Sequence, residues 1–239
     1  MSFPFLQPYV GLSGGVQTKN SGGFSPSSVT GLKLWLKSDV GVTKDGSNLV
    51  SNWADQSGNG NDVAQATGTK QPLWVDNQHN AKPTIRFDGI DNFMQKATYA
   101  SGDLAQTNFI FIVSTFPSSS GRYIYDSASH DKRHAFLRNA TGYQIYSGSG
   151  IATGTGITTA LQQFTAKYNS SSSYLRKNGS EIVSGNIGTD SMAGITLGAS
   201  HEAGNFGNID ICEILVYNAS VSDTDRDAIE SYLDTRWGL

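Results

Sequence analysis

The stretch that decides the fold is Asn208-Ile209-Asp210-Ile211-Cys212-Glu213-Ile214-Leu215-Val216-Tyr217. It is rich in β-branched and aromatic residues, which favour strands. Both sides of such a strand would be mostly apolar, so the pattern predicts a central strand that is covered on both faces. Strict alternation divides the residues into Asp210, Cys212, Ile214 and Val216 on one side and Ile209, Ile211, Glu213, Leu215 and Tyr217 on the other.

A short helix is predicted directly after this strand. Ser222 is a typical N-cap, and Asp223 and Asp225 fall in the first turn, where the helix dipole favours negative charge. Gly238 is placed to end the helix. Apolar residues at helical spacing predict one buried stripe, made of Ile229, Tyr232, Leu233 and Trp237. The last elements of the chain are therefore expected to close the core.

The composition favours one all-β domain. Charged residues make up only 15% of the 239 residues and 27 are glycine, which fits many short strands joined by tight turns. Strands are predicted at intervals of roughly ten residues, without an internal repeat or a second domain boundary, as in a single antiparallel sandwich. The net charge of −3 without a Lys/Arg cluster argues against nucleic-acid binding. No segment approaches a membrane-spanning helix, so no membrane partner is expected.

Cys212 is the single cysteine, which excludes an intrachain disulfide and a thiolate zinc site. The four histidines lack the spacing of metal ligands or of a nucleophile motif. Two of them, His130 and His134, flank the polar segment Asp131-Lys132-Arg133 and are predicted to lie at the surface.

Residues 1–28 are predicted to form an extended N-terminal arm, and residues 29–239 the folded domain. Pro4, Pro8 and several glycines exclude a long helix in the arm. The arm is either a disordered leader or a segment that docks on a neighbouring subunit, and its apolar contacts would be Phe3, Phe5, Leu6, Tyr9 and Val10. The start has no basic region of a secretory signal, so the protein is expected to stay where it is made or to leave by assembly into something larger.

Six segments follow one another in an order that is typical of a known family: LWLKSD (34–39), VSNWADQSGNGND (50–62), KPTIRFDG (82–89), ITLG (195–198), DICEILVY (210–217) and RWGL (236–239). From about residue 30 onward the chain resembles the laminin-G-like, concanavalin A-like jelly-roll modules of phage virion proteins and bacterial surface proteins. The resemblance implies an all-β, two-sheet antiparallel jelly-roll sandwich with a short C-terminal helix and an extended N-terminal arm. Some members of the family bind glycans or calcium, and others are purely structural, so the fold alone does not assign a function.

The spacing Asn208-x-Asp210-x-x-Glu213 is close to the acidic strand of laminarinase-type glycoside hydrolases, which share this sandwich. Those enzymes need two carboxylates beside the scissile bond. Asn208 stands where the nucleophile carboxylate would be, so no catalytic residues are expected. Asp210 and Glu213 are interpreted as structural or hydrogen-bonding groups.

Four aspartates in turn-rich segments offer the oxygen ligands that calcium prefers: Asp55, Asp62, Asp88 and Asp91. Their spacing is not that of an EF-hand, and such side chains also bond their own backbone in turns. The sequence therefore leaves calcium binding and turn formation as alternatives, and it suggests no organic cofactor.

Exposed aromatic rings are what sugar-binding sandwiches need, because they stack on the apolar faces of sugars. The candidate residues are Tyr123, Tyr125, Tyr143 and Tyr146, with Tyr174 on a further strand. The alternative is that these rings fill the core, since half of each alternating strand points inward.

These observations favour a non-enzymatic virion structural protein. The expected role is a capsid decoration or cement subunit of a tailed phage, anchored by its N-terminal arm and made in the cytoplasm of the bacterial host. Its partners would be neighbouring copies of itself, in a homo-oligomer, and a major capsid or other virion protein. The alternative is a glycan-binding module of a host-attachment apparatus, on the tail or the surface, whose partner is a surface glycan.

Overall fold

The computed structural model describes residues 23–117, 122–139, 141–154, 156 and 158–239. Two antiparallel sheets pack face to face, and one α-helix lies on the outside of the first sheet. The predicted all-β jelly-roll sandwich with a C-terminal helix is confirmed. The strands are β1 (Leu32–Lys37), β2 (Val42–Lys44), β3 (Val50–Trp53), β4 (Val63–Ala64), β5 (Leu73–His79), β6 (Lys82–Asp88), β7 (Met94–Lys96), β8 (Asn108–Thr115), β9 (Tyr123–Asp126), β10 (Ala135–Arg138), β11 (Tyr143–Tyr146), β12 (Gly150–Ala152), β13 (Gln162–Tyr168), β14 (Ser173–Lys177), β15 (Ser180–Gly185), β16 (Ile195–Leu197) and β17 (Asn208–Tyr217).

Each sheet is named here by its relation to the helix. The helix-side sheet has the order β15-β14-β13-β8-β17-β6-β5, and β1 also pairs with β17. The open sheet, which the helix does not cover, has the order β12-β11-β10-β9-β16-β7-β4-β3-β2. Strand β17 pairs with β8 along one edge and with β6 and then β1 along the other. Residues 209–217 are all buried, so the predicted central strand is confirmed.

A β-bulge in the middle of β17 corrects the predicted alternation. Ile211 lies opposite Ser114 and Glu213 lies opposite Val113, so Cys212 is the extra residue. An extra residue reverses the side to which every later side chain points. The inner core therefore takes Ile209, Ile211, Ile214 and Val216, whereas Cys212, Leu215 and Tyr217 belong to the outer core beneath the helix.

The protein has two hydrophobic cores, one on each face of the helix-side sheet. The inner core lies between the sheets and includes Leu34, Trp53, Phe87, Phe136 and Leu197. The outer core joins the helix-side sheet to the helix and includes Trp35, Phe111, Leu215, Leu233 and Trp237. Both faces of the helix-side sheet are consequently buried at its central strands, which explains the continuous apolar runs of β8 and β17.

Helix α1 (Asp223–Trp237) has the predicted ends. The Ser222 hydroxyl accepts a hydrogen bond from the backbone N–H of Asp225, at 3.1 Å, and Gly238 takes the left-handed conformation at the C-cap, with φ of 73°. Of the predicted stripe, Ile229, Leu233 and Trp237 are buried, whereas Tyr232 is only half-buried. Within the described ranges no helix combines the length and the apolar character that crossing a membrane requires.

The described chain begins to pack on the domain before the predicted boundary at residue 28. Pro26–Ser28 forms a 3-10 turn in which Pro26 is buried, and its carbonyl accepts a 2.8 Å hydrogen bond from the hydroxyl of Tyr217. Val29 is also buried, in the outer core. The predicted arm contacts, Phe3, Phe5, Leu6, Tyr9 and Val10, lie outside the described residues.

Candidate binding site on the open sheet

The structure separates the tyrosines that the sequence grouped together. Tyr125 and Tyr143 are completely buried in the inner core, so they cannot stack on a sugar, and this part of the prediction is wrong. Tyr123 and Tyr146 are half-buried and contact Arg133 on the outer face of the open sheet. The pairing register between β9 and β10 shifts at Ile124, and for this reason Tyr123 does not share a face with Tyr125.

Arg133 joins the two half-buried tyrosines. Its guanidinium carbon lies 5.0 Å from the ring centre of Tyr146 and 6.0 Å from that of Tyr123, and its Nη2 donates to the Tyr123 hydroxyl at 3.2 Å. Cations over aromatic faces are attracted to the ring quadrupole. Tyr123, Arg133 and Tyr146 therefore form one continuous surface, which we call the Arg133 platform.

A buried carboxylate holds the platform from behind. Asp126 is completely buried, and its oxygens accept from Nε of Arg133 at 3.1 Å and from Nη2 at 2.7 Å. The same carboxylate accepts from the backbone N–H and Nδ1 of His201, at 3.0 and 3.2 Å. The His201 ring lies edge-on to His130, with the ring centres 5.3 Å apart. Asp126 thus fixes two loops, 127–134 and 199–207, around the platform.

The electrostatics keep Arg133 charged. Burial alone would lower the pKa of its guanidinium, but the Asp126 carboxylate and the Tyr123 hydroxyl outweigh burial and raise it. Arg133 is therefore a fixed cation whose side chain is 14% exposed. A planar cation between two rings is suited to binding polar, ring-shaped ligands, because stacking and directed hydrogen bonds act together.

A row of polar side chains continues from Asp126 along the open sheet. Thr196 lies opposite both Asp126 on β9 and Gln95 on β7, which places the three side chains on the same outer face. Nε2 of Gln95 donates to Oγ1 of Thr196 at 2.9 Å. Asp126 and Thr196 are completely buried, so they support the aromatic platform from beneath, and of the three only Gln95 is partly exposed.

No motif in the sequence predicts the Asp126–Arg133–His201 cluster. Asp126 and His201 are 75 positions apart and meet only through the pairing of β9 with β16 and the loop that follows β16. The prediction for the neighbouring histidines was right for His130, which is exposed, and wrong for His134. His134 is fully buried and stacks on Tyr168 with ring centres 4.2 Å apart. Burial lowers its pKa to about 4.

Three of the four aspartates proposed as calcium ligands, Asp55, Asp62 and Asp88, accept hydrogen bonds from backbone N–H groups. The Asp55 carboxylate accepts from the backbone N–H groups of Trp35, Ser57 and Asn61 at 2.8–3.0 Å. Asp62 accepts from the backbone of Asp55, and Asp88 from that of Asp91. Within the described ranges no group of three or more His, Cys, Asp or Glu side chains is placed to hold a metal ion. Calcium binding stays a prediction without such a group to support it.

The two carboxylates of β17, Asp210 and Glu213, both bind side chains of the protein itself. Asp210 makes a two-pronged ion pair with Arg86, at 2.7 and 2.6 Å. Glu213 is completely buried under α1 and accepts hydrogen bonds from Trp35, Tyr232, Arg236 and Trp237. Carboxylates that act on a glycosidic bond must flank the substrate, whereas α1 covers Glu213. This geometry gives both carboxylates structural partners.

No family model and no curated protein matches the sequence. Solved structures with a similar fold include the Trypanosoma rangeli sialidase in complex with sialic acid, with a TM-score of 0.57 and 11% identity over 85% of this chain and 33% of that one. An arabinofuranosidase complexed with arabinofuranosyl-α-1,2-xylobiose has a TM-score of 0.61 and 13% identity, over 79% of this chain and 51% of the enzyme.

The receptor binding domain of botulinum neurotoxin mosaic serotype C/D is also similar, with a TM-score of 0.63 and 11% identity over 90% of this chain and 55% of the domain. The chain spans about a third of the length of the sialidase and about half of the other two proteins. At these identities the likeness concerns the fold alone. It confirms the concanavalin A-like sandwich that the sequence predicted.

Proposed function

We propose that this protein is a non-catalytic glycan-binding module and that the Arg133 platform is its binding surface. The observation that carries the proposal is the arrangement of Tyr123 and Tyr146 about one guanidinium, on the sheet face that α1 does not cover. The similar solved structures support this choice of function class, because two of them are complexes with a sugar. They do not assign a ligand to this chain.

The platform supplies the two kinds of contact that a sugar requires. The rings of Tyr123 and Tyr146 offer apolar surface to the C–H face of a pyranose or furanose. Nε and Nη2 of Arg133 are used by Asp126 and Tyr123, while Nη1 makes no hydrogen bond with the residues that the structure describes. The Nη1 donors can therefore bind a ligand hydroxyl or, more strongly, a carboxylate. We expect acidic glycans to bind better than neutral ones.

A glycan array probed with the wild-type chain and single variants tests the proposal. Y146A and Y123A should each weaken binding by roughly 10-fold or more, as expected for an aromatic anchor. Y174A is the matched control, because Tyr174 is also half-buried but lies on β14 of the helix-side sheet. An array without any wild-type signal, or an equal loss in all three variants, would contradict the proposal.

The virion role remains a separate proposal that rests on the sequence. It is supported by the resemblance to phage virion modules and by the apolar composition of the arm. Because residues 24–29 pack on the domain, the informative truncation removes residues 1–22 rather than 1–28. Loss of oligomers, measured as solution mass, would support an assembly role for the arm. Equal monomeric masses with and without residues 1–22 would count against self-assembly through the arm.

A further inference from the structure

A groove runs along α1 on the side where the described chain begins. It has a volume of about 550 Å³ and lies on the helix-side sheet, away from the Arg133 platform. Its lining combines apolar and cationic side chains, among them Phe24, Lys82, Ala228, Tyr232 and Arg236. Gly23, the first described residue, also lines it, so the preceding chain enters the domain at this groove.

Two side chains that line the groove, Tyr232 and Arg236, are held in place by partners that do not line it. The Tyr232 hydroxyl donates to Glu213 at 3.0 Å, and Arg236 forms an ion pair with Asp39. The ring of Phe24 lies 6.3 Å from that of Tyr232 and is 37% exposed. The groove therefore presents two fixed aromatic surfaces that the described residues leave partly uncovered.

We propose that this groove receives the apolar segment 3–10 of the same chain. Residues 1–22 lie outside the described ranges, and their apolar side chains are concentrated before residue 11. The segment holds three aromatic residues, Phe3, Phe5 and Tyr9, and no charged residue. Aromatic rings fit a lining made of Phe24, Tyr232 and the ammonium group of Lys82, through ring contacts and cation–π attraction.

The length of the intervening chain is sufficient for this return. Residues 11–22 contain four glycines, and a Gly-rich linker of this length has an end-to-end distance of roughly 20 Å. Helix α1, with 15 residues, is about 22 Å long. The segment can thus reach any part of the groove from Gly23. A short tether also gives an effective concentration in the millimolar range, which favours the chain's own segment over that of a second copy.

A spin label attached at S2C in the full-length chain tests the proposal. Cys212 is buried, so the introduced thiol is the reactive one. In a dilute ¹⁵N-labelled sample we expect loss of amide signal intensity for Ala228, Ser231 and Thr235, relative to the same sample after reduction of the label. Docking on a second copy is detected in a mixture of two chains. One chain carries the spin label but no ¹⁵N, and the other carries ¹⁵N but no spin label, so any signal loss must come from a neighbouring copy. Loss only in the mixture, loss elsewhere, or no loss would each overturn the proposal.

Two variant pairs test the groove and the segment separately. A228E places a charge in the groove and should restore the signals, whereas T224E adds the same charge at an exposed position of α1 outside the groove and should not. F3S/F5S/Y9S should restore them without altering the folded domain, and L12S/V16S is its control. Signal loss that persists in F3S/F5S/Y9S would contradict the proposal even if A228E failed to fold. None of these measurements involves a glycan, so they stand apart from the proposed binding function.

Discussion

The indole N–H of Trp237, the last residue of α1, donates a 2.8 Å hydrogen bond to the Glu213 carboxylate at the bulge of the central strand. Trp35 donates to the same carboxylate at 2.6 Å, and Nε of Arg236 at 2.8 Å. Burial raises the pKa of Glu213, and the hydrogen bonds and Arg236 oppose that rise. One side chain thus connects the first strand, the central strand and the helix.

E213Q should destabilise the fold strongly. Glutamine retains the size of the side chain but removes the negative charge beside Arg236, and its amide N–H group would face other donors. Breaking a buried charge pair from one side costs about 3 kcal/mol or more in the free energy of unfolding. Urea unfolding measures this cost. E181Q, on the exposed side of β15, is the matched control and should change stability little. Equal losses would show that Glu213 has no special role.

Acid should destabilise the protein through His134. The folded-state pKa of about 4 lies below the unfolded value of 6.5, so the folded state prefers the neutral ring. The contribution of this ring to stability is therefore fully present above pH 6.5 and is lost as the pH falls from 6.5 to about 4. The loss amounts to about 3 kcal/mol in the free energy of unfolding.

H134F is the variant for this measurement, because phenylalanine keeps the stacking on Tyr168 and cannot be protonated. Urea midpoints measured across this pH range should vary less for H134F than for the wild type. H130N, which replaces an exposed ring, should retain the wild-type dependence. If H134F followed the wild-type curve, another group would have to be responsible.

R133K should weaken glycan binding while the charge is retained. Lysine cannot donate to Asp126 in the two-pronged geometry and to Tyr123 at the same time, so the platform loses its fixed cation. We expect an affinity loss of roughly 10-fold, or about 1.4 kcal/mol, in titration with any glycan that the array identifies. R122K is the control, since Arg122 is exposed and, among the described residues, its side chain forms a hydrogen bond only with Asn205. Equal affinities for R133K and the wild type would remove Arg133 from the site.

Gly198 should tolerate no side chain. It has φ of +76°, and a Cβ atom would come within 2.2 Å of the Phe87 ring in the inner core. G198A should therefore combine left-handed strain with overpacking, at a cost of about 3 kcal/mol in the free energy of unfolding. G60A, at φ of +69° with open space around it, should show the strain alone, about 1 kcal/mol. Similar losses in both variants would mean that Phe87 moves aside without cost.

Local signals were enough to predict the elements at the end of the chain. The caps at Ser222 and Gly238 and the burial of β17 follow from short-range rules, and the structure reproduces them. The bulge at Cys212 was not predictable, because it arises from pairing with β8, about 100 residues earlier in the sequence. Strict alternation consequently assigned the wrong side to Ile214.

The binding surface could be predicted only in part. Alternation along β11 puts Tyr143 and Tyr146 on opposite faces, but nothing in the sequence distinguished Tyr123 from the buried Tyr125. The register shift between β9 and β10 makes that distinction, and it depends on three-dimensional pairing. The contact of Asp126 with His201 likewise exists only after β16 has joined β9. Long-range pairing, rather than local preference, positions the candidate site.

The position of β17 in the sequence affects when the helix-side sheet can fold during translation. The strand that fills the gap between β8 and β6 is the last strand in the sequence, so a ribosome must release residues 208–217 before the helix-side sheet can close. Until then the partner edges of β8, β6 and β1 are open to pairing with other chains. We expect nascent chains that stop before residue 208 to depend on chaperones for solubility. Folding should therefore be slow, at a rate that reflects these distant pairings.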